Sequence, residues 1–124
     1  MASEKVDLKK TVELFRALAD PTRCKILVLL WDKIYCVCEL TAALELAQPT
    51  ISRHLRILEQ AGLVESNRKG QRMEYSLNHE GGQEIKKLLE LIKDWLSELD
   101  EMKELREKIR LIALEGPCPE KNQY

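Results

Sequence analysis

Residues 48–77 read QPTISRHLRILEQAGLVESNRKGQRMEYSL, and three features follow one another in that stretch. Pro49 marks a helix start, where a missing N–H costs nothing. Gly62 supplies the stop, because glycine accepts the left-handed backbone on which helices end. The interval predicts a helix over about 50–61. Advancing about 100° per residue, Ile51, Leu55 and Leu58 fall within about 60° of one another and make a buried stripe. Ser52, Arg53 and Arg56 then lie on the opposite side, flanked by Gln48, Thr50 and His54. Past Gly62, residues 63–67 form one strand. Met73, Tyr75 and Leu77 alternate with polar neighbours as a second strand does. The turn between them, 68–71, sits in NRKGQR, with three positive and no negative side chains in six residues. The stretch is a helix followed by a basic-tipped hairpin.

Working outward, apolar residues between 6 and 18 recur at three- and four-residue intervals and predict a first helix. Asp20-Pro21 is a capping residue followed by proline, so a second helix runs over about 21–32 with Ile26, Leu27, Leu29 and Leu30 inside. A short third helix covers about 36–46, and 45–47 form the turn into the helix already described. Downstream, Gly81-Gly82 is followed by a helical pattern over about 83–114. Ile85, Leu88, Leu89, Ile92, Trp95, Leu96, Leu99 and Met102 hold an a/d-like spacing there, with a break expected near 97–100. The expected fold is mainly α: a winged helix-turn-helix with one two-stranded wing and a long C-terminal helix. Residues 1–115 form a single domain that includes the dimerisation helices, and 116–124 a flexible tail.

Composition excludes several classes. The 124 residues are 44% hydrophobic and 33% charged with a net charge of −1, too apolar and too balanced for a disordered chain. The longest apolar run is six residues, 26–31, against the ~20 of a membrane-spanning helix. The amino-terminal decapeptide MASEKVDLKK has no apolar core of a secretory signal, so a cytoplasmic address is expected. The near-neutral net charge hides a local excess. Residues 1–47 carry seven basic and seven acidic side chains, 48–79 five and three, and 80–124 eight and eleven. Only the middle third is positive.

A helix that shows hydroxyls and guanidiniums near its first turn offers N–H groups and cations to phosphates, while its side chains reach base edges. The short preceding helix completes a helix-turn-helix, and a hairpin bearing Arg68, Lys69 and Arg72 can lie along the neighbouring groove or backbone. Duplex DNA is the partner this predicts. Neither His54 nor His79 has a cysteine or carboxylate at catalytic spacing, so no enzyme is expected. The first and last helices carry more aliphatic surface than one small core absorbs, which predicts a two-fold dimer with reading helices about 34 Å apart.

The stretches LFRALADPTRCKILVLL, YCVCEL and QPTISRHLRILEQAGLVESNRKGQRMEYSL resemble the winged helix-turn-helix repressors of the arsenical-resistance (ArsR-type) family. The resemblance is strong from about Leu14 to Leu77. It implies a homodimeric repressor that binds a palindromic operator and leaves it when a metal or metalloid binds. Gln48, Thr50, Ser52, Arg53 and His54 would be its major-groove face, and Arg68, Lys69 and Arg72 its wing. In arsenic-responding members a C-V-C-[DE]-L-C pattern supplies three thiolates. Cys36 and Cys38 match the first two positions, and Thr41 stands at the third.

Four cysteines in a reducing compartment favour burial, metal ligation or redox chemistry over structural disulfides. Cys36 and Cys38 sit where the third helix should begin, and the helix dipole there predicts depressed thiol pKa values and affinity for soft ions. Residues two apart in an ideal helix point about 200° apart, so a shared ion requires that helix start to distort. A third ligand comes from Cys118 of the same or the partner subunit, or from an external thiol. Cys24 reads as a buried core residue. The expected inducer is As(III) or Sb(III), with Cd(II) also open. A histidine-bearing zinc site on the last helix is not expected, because 83–114 contain no histidine. Two other readings stay open: a repressor switched by oxidation of the same cysteines, and a helical interaction module that does not bind DNA.

Overall fold

The computed structural model describes residues 7–116. In chain order the elements are α1 (Leu8–Leu18), α2 (Pro21–Asp32), β1 (Tyr35–Cys36), α3 (Val37–Leu44), α4 (Gln48–Gln60), β2 (Val64–Lys69), β3 (Arg72–Leu77), α5 (Gln83–Leu96) and α6 (Asp100–Glu115). The elements match a winged helix-turn-helix, with α3 and α4 as the helix pair and β2–β3 as the wing.

The local signals act as expected at the helix ends. Asp7 accepts the Lys10 N–H at 2.9 Å and Asp20 accepts the Arg23 N–H at 3.1 Å, each satisfying an amide that the helix itself leaves unpaired. Gly62 takes φ +86° after α4. At the end of α3, the residue with positive φ is Glu45 at 58°, a conformation that costs a non-glycine residue on the order of 1 kcal/mol. Its carboxylate is held by Lys108 of α6.

Helix α2 is the centre of the core. All five of Ile26–Leu30 are buried, Val28 with the four expected, so this helix is covered nearly all round rather than along one stripe. The same core holds Leu14 and Ala17 of α1, Leu40 of α3, the stripe Ile51, Leu55 and Leu58 of α4, and Ile85 and Leu89 of α5. The stripe on α4 is the one its spacing predicts, and all three residues are fully buried.

Two features differ from the sequence reading. The sheet has three antiparallel strands in the order β1-β3-β2, with Tyr35 opposite Tyr75 and Cys36 opposite Glu74. A two-residue strand is too short to show alternation, and Cys36, expected inside the third helix, ends this strand instead. The C-terminal pattern, for which a break was expected, is two helices. The Ser97 hydroxyl donates to the Lys93 carbonyl where α5 ends, and α6 packs along α3 and α2. Arg106 fixes it there with a bidentate pair to Asp32 at 2.7 and 2.9 Å. The regular spacing is therefore not one coiled-coil seam: Ile85, Leu89, Ile92 and Met102 are buried, whereas Trp95 is 67% exposed. Among the described residues, no helix is long and apolar enough to cross a membrane.

Candidate nucleic-acid interface and thiol site

Helix α4 begins after Ala47, which gives it no side-chain cap. Gln48, Arg53 and Arg56 are exposed, and Thr50 and Ser52 are half-buried beside them. The outward side thus combines an amide and hydroxyls near the positive end of the helix dipole with two guanidiniums further along the helix. His54 is placed differently. Its side chain is only 13% exposed, and Nδ1 accepts a hydrogen bond from Arg23 Nη1 at 3.1 Å, with Asp20 at 3.9 Å. Burial holds its pKa below the ordinary imidazole value. Asp20 opposes that shift and the cations Arg23 and Arg53 add to it. Arg23 also donates to the carbonyls of Ala17 at 2.7 Å and Arg16 at 3.1 Å. His54 and Arg23 together fasten the reading helix to the α1–α2 corner, a role that no local pattern around Arg23 announces.

In the wing, Arg68 and Lys69 are exposed, and Gly70 at φ +63° lets the chain reverse. Arg72 is partly covered, its side chain 33% exposed and its Nε buried. Its Nη2 lies 3.9 Å from Glu39 Oε1 and its Nε 3.8 Å from Glu74 Oε2.

The cysteines occupy distinct settings. Cys36 is 2% exposed and serves as the N-cap of α3 in extended backbone, φ −92° and ψ 168°. Its N–H donates to Glu39 Oε1 at 2.9 Å, and its sulfur accepts the Glu39 N–H, a reciprocal capping box. Burial raises its pKa, and the adjacent Glu39 carboxylate pushes the same way. The Glu39 amide and Arg72 pull it down without prevailing. The depressed pKa expected from the helix start is thus overturned for Cys36, because desolvation outweighs the dipole. Cys38 is half-buried in the first turn and is disulfide-bonded, which departs from the reduced thiol expected there, so ion binding through it requires that bond to be reduced first. The pair straddles a strand–helix junction, so the opposition of residues two apart on a helix does not apply. Thr41, at the family's third thiolate position, donates its hydroxyl to the Val37 carbonyl at 2.7 Å.

Cys24 is half-buried rather than sealed in the core, its thiol donating to the Leu18 carbonyl at 3.1 Å, and burial raises its pKa. Cys118 lies outside the described residues. Among the described residues, no group of three or more histidine, cysteine or acidic side chains is placed to hold a metal ion. A cavity of about 180 Å³ joins the two halves of the site. Cys36 and Val37 line it from one side, Gln48 and Ser52 from α4, and Arg72 and Tyr75 from the wing. Glu39 was not singled out from sequence. Its signal is the three-residue interval of a capping box, concealed by a cysteine where serine or threonine is usual.

This arrangement defines a winged helix-turn-helix regulator: a helix with a polar, basic outward side, a basic-tipped wing and a short helix before them that begins at a pair of cysteines. Residues 20–66 match the model of the arsR family of bacterial regulatory proteins. The arsenic resistance transcriptional regulator ArsR1 of Pseudomonas putida is 45% identical over 89 residues, 68% of this chain and 70% of that protein. The structure of HlyU from Vibrio cholerae superposes with a TM-score of 0.60 at 37% identity, covering 68% of this chain and 88% of that one. A solution structure from Mycobacterium bovis, the homodimeric winged helix-turn-helix DNA-binding domain of a possible ArsR-family regulator, gives 0.62 at 27% identity, covering 81% and 97%. The chain belongs to the arsR family and is a transcriptional repressor of the ArsR/SmtB type, a DNA-binding regulator rather than an enzyme.

Proposed function

We propose that this repressor acts in the cytoplasm as a homodimer on a palindromic operator, and that a thiophilic metal or metalloid held by Cys36 and Cys38 releases it. Trivalent arsenic or antimony fits these soft donors best, followed by cadmium. Gln48, Thr50, Ser52, Arg53 and Arg56 read the major groove, and Arg68 and Lys69 reach the phosphates beside it. His54 sets the seat of α4 through Arg23.

The observation that carries this reading is the position of Cys36. It ends the strand paired with the wing and caps the helix that leads, through residues 45–47, into α4. Any change at its sulfur therefore acts on both DNA-contacting elements. A coupling of about 1–3 kcal/mol would lower operator affinity about 5- to 150-fold. Cys36 is buried, yet it borders the cavity between α3, α4 and the wing, which leaves its surroundings space to rearrange. Cys118 is the proposed third ligand. It follows α6 by sequence, and Arg110 of α6 lines one cleft with Tyr35, the neighbour of Cys36.

The dimer reading rests on exposed aliphatic and aromatic side chains on the terminal helices. Leu8 and Phe15 of α1 are 77% and 56% exposed, and Leu114 of α6 is 71% exposed. A second copy would cover such surface, and the M. bovis neighbour is homodimeric.

The test is operator binding by the native protein and by Cys36→Ser, Cys38→Ser and Cys118→Ser, titrated with arsenite, cadmium and zinc under reducing conditions. Arsenite is expected to release the native protein. The Cys36 and Cys38 variants should bind DNA and stay bound. If both respond like the native protein, the sensory assignment fails. Release by peroxide with no response to arsenite selects thiol oxidation instead.

A further inference from the structure

By sequence Arg72 is a wing cation beside Arg68 and Lys69, but its surroundings are those of an internal link. Its Nε is buried and has no hydrogen-bond partner among the described residues. Two carboxylates flank the guanidinium, Glu39 at 3.9 Å and Glu74 at 3.8 Å. One cation between two anions leaves no net positive charge to attract a phosphate. The same residues close a loop through the thiol site. Glu39 accepts the Cys36 N–H and returns its own N–H to the Cys36 sulfur, while Glu74 faces Cys36 across the β1–β3 ladder.

We propose that Arg72 is a positioning residue that carries the state of the Cys36 cap to the wing through Glu39, and is not a phosphate ligand. This rests on the reading of Cys36 as a ligand given above. Both ion pairs are longer than a hydrogen bond, so the guanidinium is held by charge without a locked fork and can shift between its partners. A Cys36 sulfur engaged elsewhere no longer accepts the Glu39 N–H, and the capping box that orients the Glu39 carboxylate is lost. Arg72 then keeps only Glu74, on its own strand, and the charge contact between α3 and the wing is broken. The cavity bordered by Cys36, Gln48, Ser52 and Arg72 gives the side chain room to move.

The experiment uses the full chain and a duplex selected from a random pool by the native protein. Operator affinity is measured at several salt concentrations, with and without arsenite, for the native protein, Arg72→Gln, Arg72→Lys, Glu39→Gln and Arg68→Gln. Arsenite binding is followed separately by the ultraviolet absorbance of sulfur–arsenic bonds, and folding by thermal melts. Arg68→Gln is expected to reduce the salt slope by about one and to keep its release ratio. Arg72→Gln and Glu39→Gln should keep the native slope and still bind arsenite. Their release ratio should fall from the native ~5- to 150-fold to below about 3-fold. Arg72→Lys, which restores the charge without the planar fork, should recover part of that ratio. A slope lowered by about one in Arg72→Gln, with release intact, makes Arg72 a phosphate contact and overturns the proposal. Native release with equal release in both Gln variants also overturns it while leaving the sensory reading standing. A native protein that arsenite does not release sinks both together.

Discussion

Strands β2 and β3 belong to one hairpin and carry similar charges, but they answer to different neighbours. β2 is the outer strand, and from Asn67 to Lys69 it is exposed. β3 is the central strand, flanked by β2 and β1, and each of its residues is at least half-covered. Lys69 and Arg72 face one another in the ladder, yet Lys69 is open to solvent while Arg72 lies between Glu39 and Glu74. The difference comes from β1 and α3, which cover only one edge of the hairpin. On the uncovered strand a cation is left open to solvent, and on the covered one it is flanked by carboxylates; in the proposals above the first is a DNA contact and the second an internal link.

The largest way to break this contrast is to remove buried volume from the covered strand. Leu77 ends β3 at 2% exposure opposite Val64, and Leu77→Ala is expected to cost about 2–5 kcal/mol of stability. Urea denaturation measures it, and a cost below about 1 kcal/mol would show the inner strand to be less tightly held than its burial implies. On the outer strand, Lys69→Gln should leave stability within about 0.5 kcal/mol of native. It should lower the dependence of operator affinity on salt by about one counterion. An unchanged salt slope would remove Lys69 from the DNA contacts.

The same division runs through α4, where Arg53 faces outward and His54 is covered, and pH sharpens it. The folded state holds His54 below its ordinary pKa by burial, so it binds fewer protons than the unfolded chain. Stability from this group is complete above the unfolded value of about 6.5 and is lost as pH falls through the folded value. Denaturation midpoints at pH 7.5 and 5.5 should therefore differ more for the native protein than for His54→Gln, which retains an acceptor for Arg23. Equal differences would mean that the imidazole is not held neutral. The smallest expected effect is at the turn between α3 and α4. Glu45→Gly relieves a positive φ of 58° and should stabilise by less than about 1 kcal/mol, read from the melting temperature. The exposed pair with Lys108 that it forgoes is of the kind that contributes little.

Where a feature is written in neighbouring residues it was legible. Pro21 and Pro49 sit in the first turns of their helices, Gly62 ends α4, and the three-residue stripe of α4 is buried as its angles require. The outward residues Gln48, Arg53 and Arg56 follow from the same angles. The two-residue strand β1 was not legible, because its only signal is a partner about forty residues away. The fold of α6 onto α3 was hidden for a similar reason: an apolar period does not say which surface will cover it. The thiol site was half legible. The place of Cys36 and Cys38 at a helix start was visible, whereas the raised pKa of Cys36 depends on how completely the strand and wing desolvate it.

By itself the sequence determined the helices, their ends, the wing and the outward side of α4, because caps, turns and periodicity act over one or two turns of chain. Tertiary structure alone decided that His54 seats the reading helix, that Arg72 faces two carboxylates, and that Cys36 is joined to the wing. Those outcomes depend on burial and on charges brought together from distant segments, and in a low-dielectric contact these outweigh the local preferences of any single residue.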